Sequence, residues 1–221
     1  GQTDAMSVWD WLYFGHKHKF YRKAKGENIP RYPIDDGVLA DYDMGLFVYH
    51  VQEPEDSAYY AVSRTIDGTE DLSQLVPGEN TAAQGTAEEP GSGMVLLRTQ
   101  GQEENWYFVD GLSTLKYYVK WEAPPRFNIP EAFNYLVVVP ENVGDNPPLS
   151  IALHAWGGWI NKGWTWAYTL EEYGGIHIST NQYPYDWWTG FHQNMETLKP
   201  LTNEAGSVQP YSQRRIRSFA D

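Results

Sequence analysis

Residues 133–158 read FNYLVVVPENVGDNPPLSIALHAWGG, and this stretch limits most tightly what the chain can fold into. Two apolar runs, 135–139 and 149–153, flank a polar turn of Pro, Gly and Asn. Short runs rich in Val, Ile and Leu and bounded by turn residues predict buried strands. The second run delivers His154, Ala155, Trp156, Gly157 and Gly158. A strand that hands a His and small residues to a loop sets backbone N–H groups where an anion can sit. The same residues also fit a buried strand that ends in a structural His and a Gly turn.

The segment resembles the start of an α/β-hydrolase domain of the esterase and polyhydroxybutyrate-depolymerase-like group. There a YLVYVP…PLVVALHGGG pattern supplies two strands and the oxyanion loop. The resemblance implies that His154 opens that loop and that the backbone N–H of Ala155 or Trp156 faces the substrate carbonyl oxygen. Ala155 stands where the family usually has Gly, and Trp156 is bulky. A position that needs positive φ disfavours Ala.

A length of 221 residues fits one or two domains and a sizeable core. Aromatics are abundant, with 10 Trp, 16 Tyr and 8 Phe. Such usage fits all-β modules and sites that grip rings, sugars or polymers, although each ring also serves as core filler. The net charge of −13 argues against nucleic acid or an anionic membrane surface as the main partner. The absence of cysteine excludes a disulfide, a zinc–thiolate site and a thiol nucleophile. No apolar run approaches the ~20 residues of a membrane span. The first residues, GQTDAMSV, lack a basic-then-apolar signal layout. A removed signal, a cloning remnant at Gly1 and a start inside a longer chain all fit.

Three regions are expected: a β-rich domain over 1–122, a Pro-rich joint over 123–133 and a second domain over 134–221. Near the start, His16 and His18 alternate with lysines. On a strand they would share a face and could share a metal, but the lysines oppose a cation, and a solvated basic strand is the reading adopted. Residues 38–40, 45–51 and 58–66 read as strands, with Asp67-Gly68 a hairpin-turn pair. The stretch GLFVYHVQEPEDSAYYAVSRTIDGTED resembles the late strands of a fibronectin type III-like domain, where a YYYAVTAVDGGGNES pattern forms a strand and turn. That likeness covers about residues 38–80 and implies architecture, not function.

Residues 77–93 read as a turn-rich surface segment. Residues 94–99, 106–109 and 115–121 are further strand candidates, and EAPPRFNIP at 122–130 is a stiff joint. Residues 159–173 have helical features, with Trp164, Tyr168 and Glu171 on one face and Gly174 as the stop. Residues 175–180 predict a buried parallel strand, with His177 a core histidine. The loop at 181–194, NQYPYDWWTGFHQN, then lies where open α/β sheets bind ligands. Tyr183, Tyr185, Trp187, Trp188 and Phe191 could line a pocket there, and Asp186 and His192 are the loop's ionisable groups. We read His154, Asp186, Trp187, Trp188 and His192 as substrate-binding, with the two tryptophans as stacking platforms. The competing reading is an aromatic plug in which Asp186 bonds loop backbone. Ser212 reads as the N-cap of a helix over 213–221, with Ile216, Phe219 and Ala220 apolar and Arg214, Arg215 and Arg217 outward.

A serine hydrolase needs an activated Ser, a His base and an acid that orients it. In α/β-hydrolases these follow the oxyanion loop in the order Ser, Asp or Glu, His, and no Gly-X-Ser-X-Gly occurs in this chain. The expected fold class is therefore mixed: a fibronectin type III-like β-sandwich followed by the first, incomplete part of an α/β-hydrolase sheet. The expected function is the front part of a secreted serine ester hydrolase, extracellular or periplasmic, acting on a polyester or an acylated carbohydrate. It would be inactive alone, need no metal or cofactor, and be completed by the remaining half of the hydrolase domain, possibly a separate chain. A non-catalytic glycan-binding or adhesion protein is the alternative.

Overall fold

The structure, a computed structural model, describes residues 22–23, 30–31, 33–35, 38–39, 47–100, 113–154, 160, 174–182 and 186–221. The chain divides into two compact units, one being His50–Gly91 and the other the segments on either side of it. Short strands come first: β1 (Arg22–Lys23) pairs with β2 (Pro30–Arg31), and β3 (Pro33–Asp35) with β4 (Val38–Leu39).

In the His50–Gly91 unit, β5 (Arg64–Ile66) and β6 (Thr69–Asp71) form an antiparallel hairpin. Its two-residue turn is Asp67-Gly68, with φ of 49° and 79°. Two positive φ values match the right-handed twist of the flanking strands, which is why this dipeptide forms the turn. The longer strands expected over 45–51 and 58–66 are reduced, among the described residues, to 64–66 and to isolated bridges at Ala58 and Ala61. Alternation specifies a strand only when one face is covered. Here Ala58 is the sole buried residue of the unit, and Tyr59 and Val62 are largely exposed.

The other unit is built on a five-stranded mixed sheet. Its strands are β7 (Met94–Gln100), β8 (Ser113–Glu122), β9 (Glu131–Pro140), β10 (Leu149–Ala152) and β11 (Ile176–Thr180), in the order β10-β11-β9-β8-β7. The β8–β9 ladder runs unbroken from Ser113↔Pro140 to Glu122↔Glu131. Alternate side chains go to opposite faces. Leu115, Tyr117, Val119, Leu136 and Val138 pack with Val95, Leu97 and Ile160 on one side. Phe133, Tyr135 and Ile178 pack with Phe127, Phe191 and Tyr211 on the other.

The Pro-rich segment expected as a joint between domains connects β8 to β9 within this one sheet. Its Phe127 is buried and meets Phe133 edge-to-face at 4.6 Å and Phe191 at 5.3 Å. β11 is buried, as the apolar run at 175–180 predicts, but it is parallel only to β10 and antiparallel to β9. Among the described strands, β10 and β7 are the two edges of this sheet. The expected burial of the 149–153 run is corrected here: it forms a strand, but Ile151, the register partner of Ile178, is 41% exposed against 5% for Ile178, because β10 has a neighbour on one side only.

Two short strands, β12 (Phe191–His192) and β13 (Val208–Gln209), lead into helix α1 (Tyr211–Ala220). Two helix expectations are corrected here. Pro210 occupies the N-cap position, so Ser212 lies inside the first turn and its hydroxyl reaches elsewhere. Arg215, expected outward, is fully buried. Residues 211, 215 and 219, with 212 and 216, fall on one helical face, and that face meets the sheet. Phe219 stacks on Tyr135 at 3.8 Å with the rings 3° from parallel. The expected strand at 106–109, most of the expected helix at 159–173, His16 and His18 lie outside the described residues.

Candidate functional site at the carboxyl ends of the parallel strands

β10 and β11 are parallel neighbours, so the loops that follow them leave from the same edge of the sheet. That edge is where open sheets of this kind bind ligands. The two loops are bonded to each other. The His154 carbonyl accepts from the Trp188 indole N–H at 3.0 Å. His154 Nε2 accepts from the Gln182 backbone N–H at 3.2 Å. The imidazole also meets the Trp188 ring edge-on at 5.1 Å. With Nε2 accepting, a neutral His154 carries its proton on Nδ1. Ala155 and Trp156, expected as oxyanion donors, lie outside the described residues, as do Tyr183 and Tyr185.

Asp186 is buried and serves as the hub of the second loop. Its Oδ1 accepts from Trp188 N–H at 3.0 Å, and its Oδ2 from Gly190 N–H at 2.8 Å and Ser212 Oγ at 2.6 Å. Its carbonyl takes Thr189 N–H at 3.1 Å and the Thr189 hydroxyl at 2.6 Å. A buried carboxylate without these donors would be strongly disfavoured, and charge-assisted bonds are the stronger class. Asp186 thus bonds loop backbone, the second of the two readings open from sequence. The Gln182 amide oxygen, oriented by the surrounding network, accepts from the N–H groups of Trp187 and Trp188 at 2.5 and 3.1 Å.

These acceptors hold an unusual backbone. Trp187 and Trp188 are both left-handed, with φ of 56° and 63°. For residues with a Cβ this costs about 1–2 kcal/mol each, and such strain collects at ligand clamps and active sites. Gly190 completes the turn at φ 119°, where an added Cβ would sit 2.3 Å from the Gln209 carbonyl oxygen. The two tryptophans, equivalent in sequence, separate in the structure. Trp188 is half-buried and tied to His154, whereas Trp187 is 67% exposed.

Helix α1 supports the loop from below. Besides Ser212, Gln213 Nε2 donates to the Trp188 carbonyl. Arg215 donates to Thr180 Oγ1 at 2.9 Å, to Tyr135 Oη at 3.3 Å and to the Asn181 carbonyl, with its guanidinium 4.3 Å above the Phe133 ring. Burial pushes the Tyr135 phenol up to about 12, with the Arg215 charge opposing the shift. Burial also lowers the Lys120 ammonium, opposed by Glu122 3.5 Å away, while Lys120 Nζ donates to the Ser218 carbonyl and hydroxyl.

His192 is not part of this hub. Its Nδ1 accepts from Asn194 N–H at 3.2 Å and its Nε2 lies 3.1 Å from the Thr202 carbonyl, so both nitrogens serve their own turn. Gln182 and Gln213 were not singled out from sequence, and Ser212 and Arg215 were read only as an N-cap and an outward-facing side chain. The available signal was helical spacing, which puts 211, 212 and 215 on one face, but the positive charge of Arg215 points the reading to solvent.

Among the described residues no group of three or more His, Asp or Glu could hold a metal ion, and no helix is long and apolar enough to cross a membrane. The chain matches no family model, no curated protein and no solved structure.

Proposed function

We propose that this chain is the front part of a secreted serine ester hydrolase, exported to the extracellular space or periplasm. In this reading the loop opened by His154 supplies an oxyanion hole, and the 181–190 loop forms part of the substrate site. The observation that carries the reading is the direct bonding of His154 to Gln182 and Trp188 at the carboxyl ends of two parallel strands. It joins His154, which would open the oxyanion loop, to a strained aromatic turn. Ester hydrolysis would proceed by attack of a serine Oγ on the acyl carbon. The serine proton passes to a His base and negative charge collects on the former carbonyl oxygen; the alcohol then leaves with the proton returned by that His, and water, deprotonated by the same His, releases the acid from the acyl-serine. Backbone N–H groups after residue 154 would stabilise the former carbonyl oxygen, each worth roughly 3–4 kcal/mol. In this reading the serine, the base and its acid would come from other polypeptide.

The edge position of β10 supports the same reading. Leu149, Ile151 and Leu153 are 48%, 41% and 50% exposed beside a parallel neighbour. Parallel strands are ordinarily covered on both faces, so this edge suits the remaining half of the domain. The fibronectin type III-like reading of residues 38–80 rests on the sequence pattern and the Asp67-Gly68 hairpin. A serine-reactive fluorophosphonate provides the test. A product extending past residue 221 should label, and residues 1–221 alone should not; an extended, folded product that does not label would sink the proposal.

A glycan-binding protein without catalysis is the second reading. The exposure of Trp187 favours it, since a ring held in solvent needs no chemistry to bind a sugar.

A further inference from the structure

We infer that Trp187 alone of the tryptophan pair is a ligand platform, and that its ligand is a neutral polysaccharide chain. The inference rests on reading the His154–Gly190 edge as a substrate site, and it selects carbohydrate over polyester. Trp188 faces the protein: its indole N–H is spent on the His154 carbonyl and its ring packs on the imidazole. Trp187 sits one residue earlier in the same left-handed turn and is 67% exposed.

The described residues around it are tied to the protein by hydrogen bonds. Its own N–H is taken by Gln182, the Trp188 N–H and carbonyl are held by Asp186 and Gln213, and Ser212 ties the Asp186 carboxylate to the helix. The turn therefore presents a large flat apolar face in solvent on a base with little freedom left to lose. Rigid aromatic rings bind at low conformational-entropy cost. A small acyl group is ordinarily gripped by a concave pocket. An indole face open to solvent suits a long ligand that runs across the surface and stacks one pyranose ring as it passes. The net charge of −13 disfavours a polyanion.

Affinity electrophoresis of residues 1–221 tests this in gels cast with mixed-linkage β-glucan, glucomannan or polygalacturonate, with pull-down on polyhydroxybutyrate granules in parallel. We expect retardation by a neutral polysaccharide, at least fivefold weaker in Trp187→Ala and retained to within twofold in Trp187→Phe, with unchanged thermal midpoints. If Trp187→Ala does not fold, Trp187→Gln against Trp187→Phe makes the same comparison. Retardation by polygalacturonate alone, binding to polyester granules alone, no binding to any probe, or equal binding by Trp187→Ala would each overturn it. The outcome is separable from the hydrolase test. Fluorophosphonate labelling of the extended product without glycan retention removes only the platform, and retention without labelling removes only the esterase.

Discussion

Ser212 Oγ donates to Asp186 Oδ2 at 2.6 Å across 26 residues of sequence. This bond joins the first turn of α1 to the turn that carries Trp187 and Trp188. It makes the conformation of the aromatic loop a property of the helix–sheet packing rather than of the loop alone.

Removing the hub should therefore cost more than a surface loop residue would. Asp186→Ala leaves the Gly190 N–H and the Ser212 hydroxyl without their acceptor, and the Trp188 N–H with Gln182 alone. We expect a loss of about 2–4 kcal/mol in urea unfolding. Ser212→Ala removes one of the three donors and should lose about 1–2 kcal/mol. An Asp186→Ala loss below about 0.5 kcal/mol would contradict the hub.

The left-handed backbone at Trp187 predicts an inverted preference. Trp187→Gly and Trp187→Val both remove the indole, and they differ in how well they tolerate φ of 56°. Glycine should be the more stable by at least about 1 kcal/mol, the reverse of the order at an exposed extended position. Paired urea titrations of the two variants decide it.

Arg214 and Arg215 are neighbours in sequence with different surroundings. Arg215→Met takes donors from Thr180, Tyr135 and the Asn181 carbonyl, and should lose about 2–4 kcal/mol. Arg214 is exposed, and Arg214→Met should stay within about 0.5 kcal/mol of the parent. Thermal and urea unfolding of both would reveal any failure of this contrast.

Alkaline pH should act on Tyr135 and Lys120 with opposite signs. The folded Tyr135 titrates near 12, above its usual 10, so between these values the unfolded chain loses its proton first. Stability falls with rising pH over that window, by roughly 2–3 kcal/mol from this group. The folded Lys120 ammonium lies below its usual 10.5. Between its folded value and 10.5 the unfolded chain holds more protons, so its contribution rises with pH. Tyr135→Phe should flatten the fall above pH 10, and Lys120→Met should remove the rise below it. A Tyr135→Phe profile identical to the parent would reject the phenol assignment.

The register pair Ile151↔Ile178 allows a test of the sheet edge. Ile178→Lys buries a charge and should unfold the protein. Ile151→Lys, at the exposed edge, should change stability by less than about 1 kcal/mol and reduce self-association of residues 1–221 in light scattering. Equal damage at both positions would mean that β10 is not an edge.

Local pattern was enough for much of the architecture. The apolar runs at 94–99, 115–121, 135–139, 149–153 and 175–180 are strands of one sheet, and Asp67-Gly68 is a hairpin turn, because period and turn chemistry act over a few residues. The Pro-rich 123–130 segment misled because prolines mark a stiff connection without saying whether it joins domains or adjacent strands. Residues 47–63 misled because alternation forms a strand only when something covers one face.

Sequence by itself determined the strands of the five-stranded sheet, the hairpin turn and the unusual aromatic loop after β11. Only the tertiary structure decided that Arg215 is interior, that Asp186 is a staple and that Trp187 and Trp188 face different surroundings. The reason is physical. Each of those outcomes depends on partners 25 to 80 residues away in the chain, such as Gln213 for Trp188, Ser212 for Asp186 and Tyr135 for Arg215. Residue type fixes which bonds a side chain can make, and packing fixes which of them it does make.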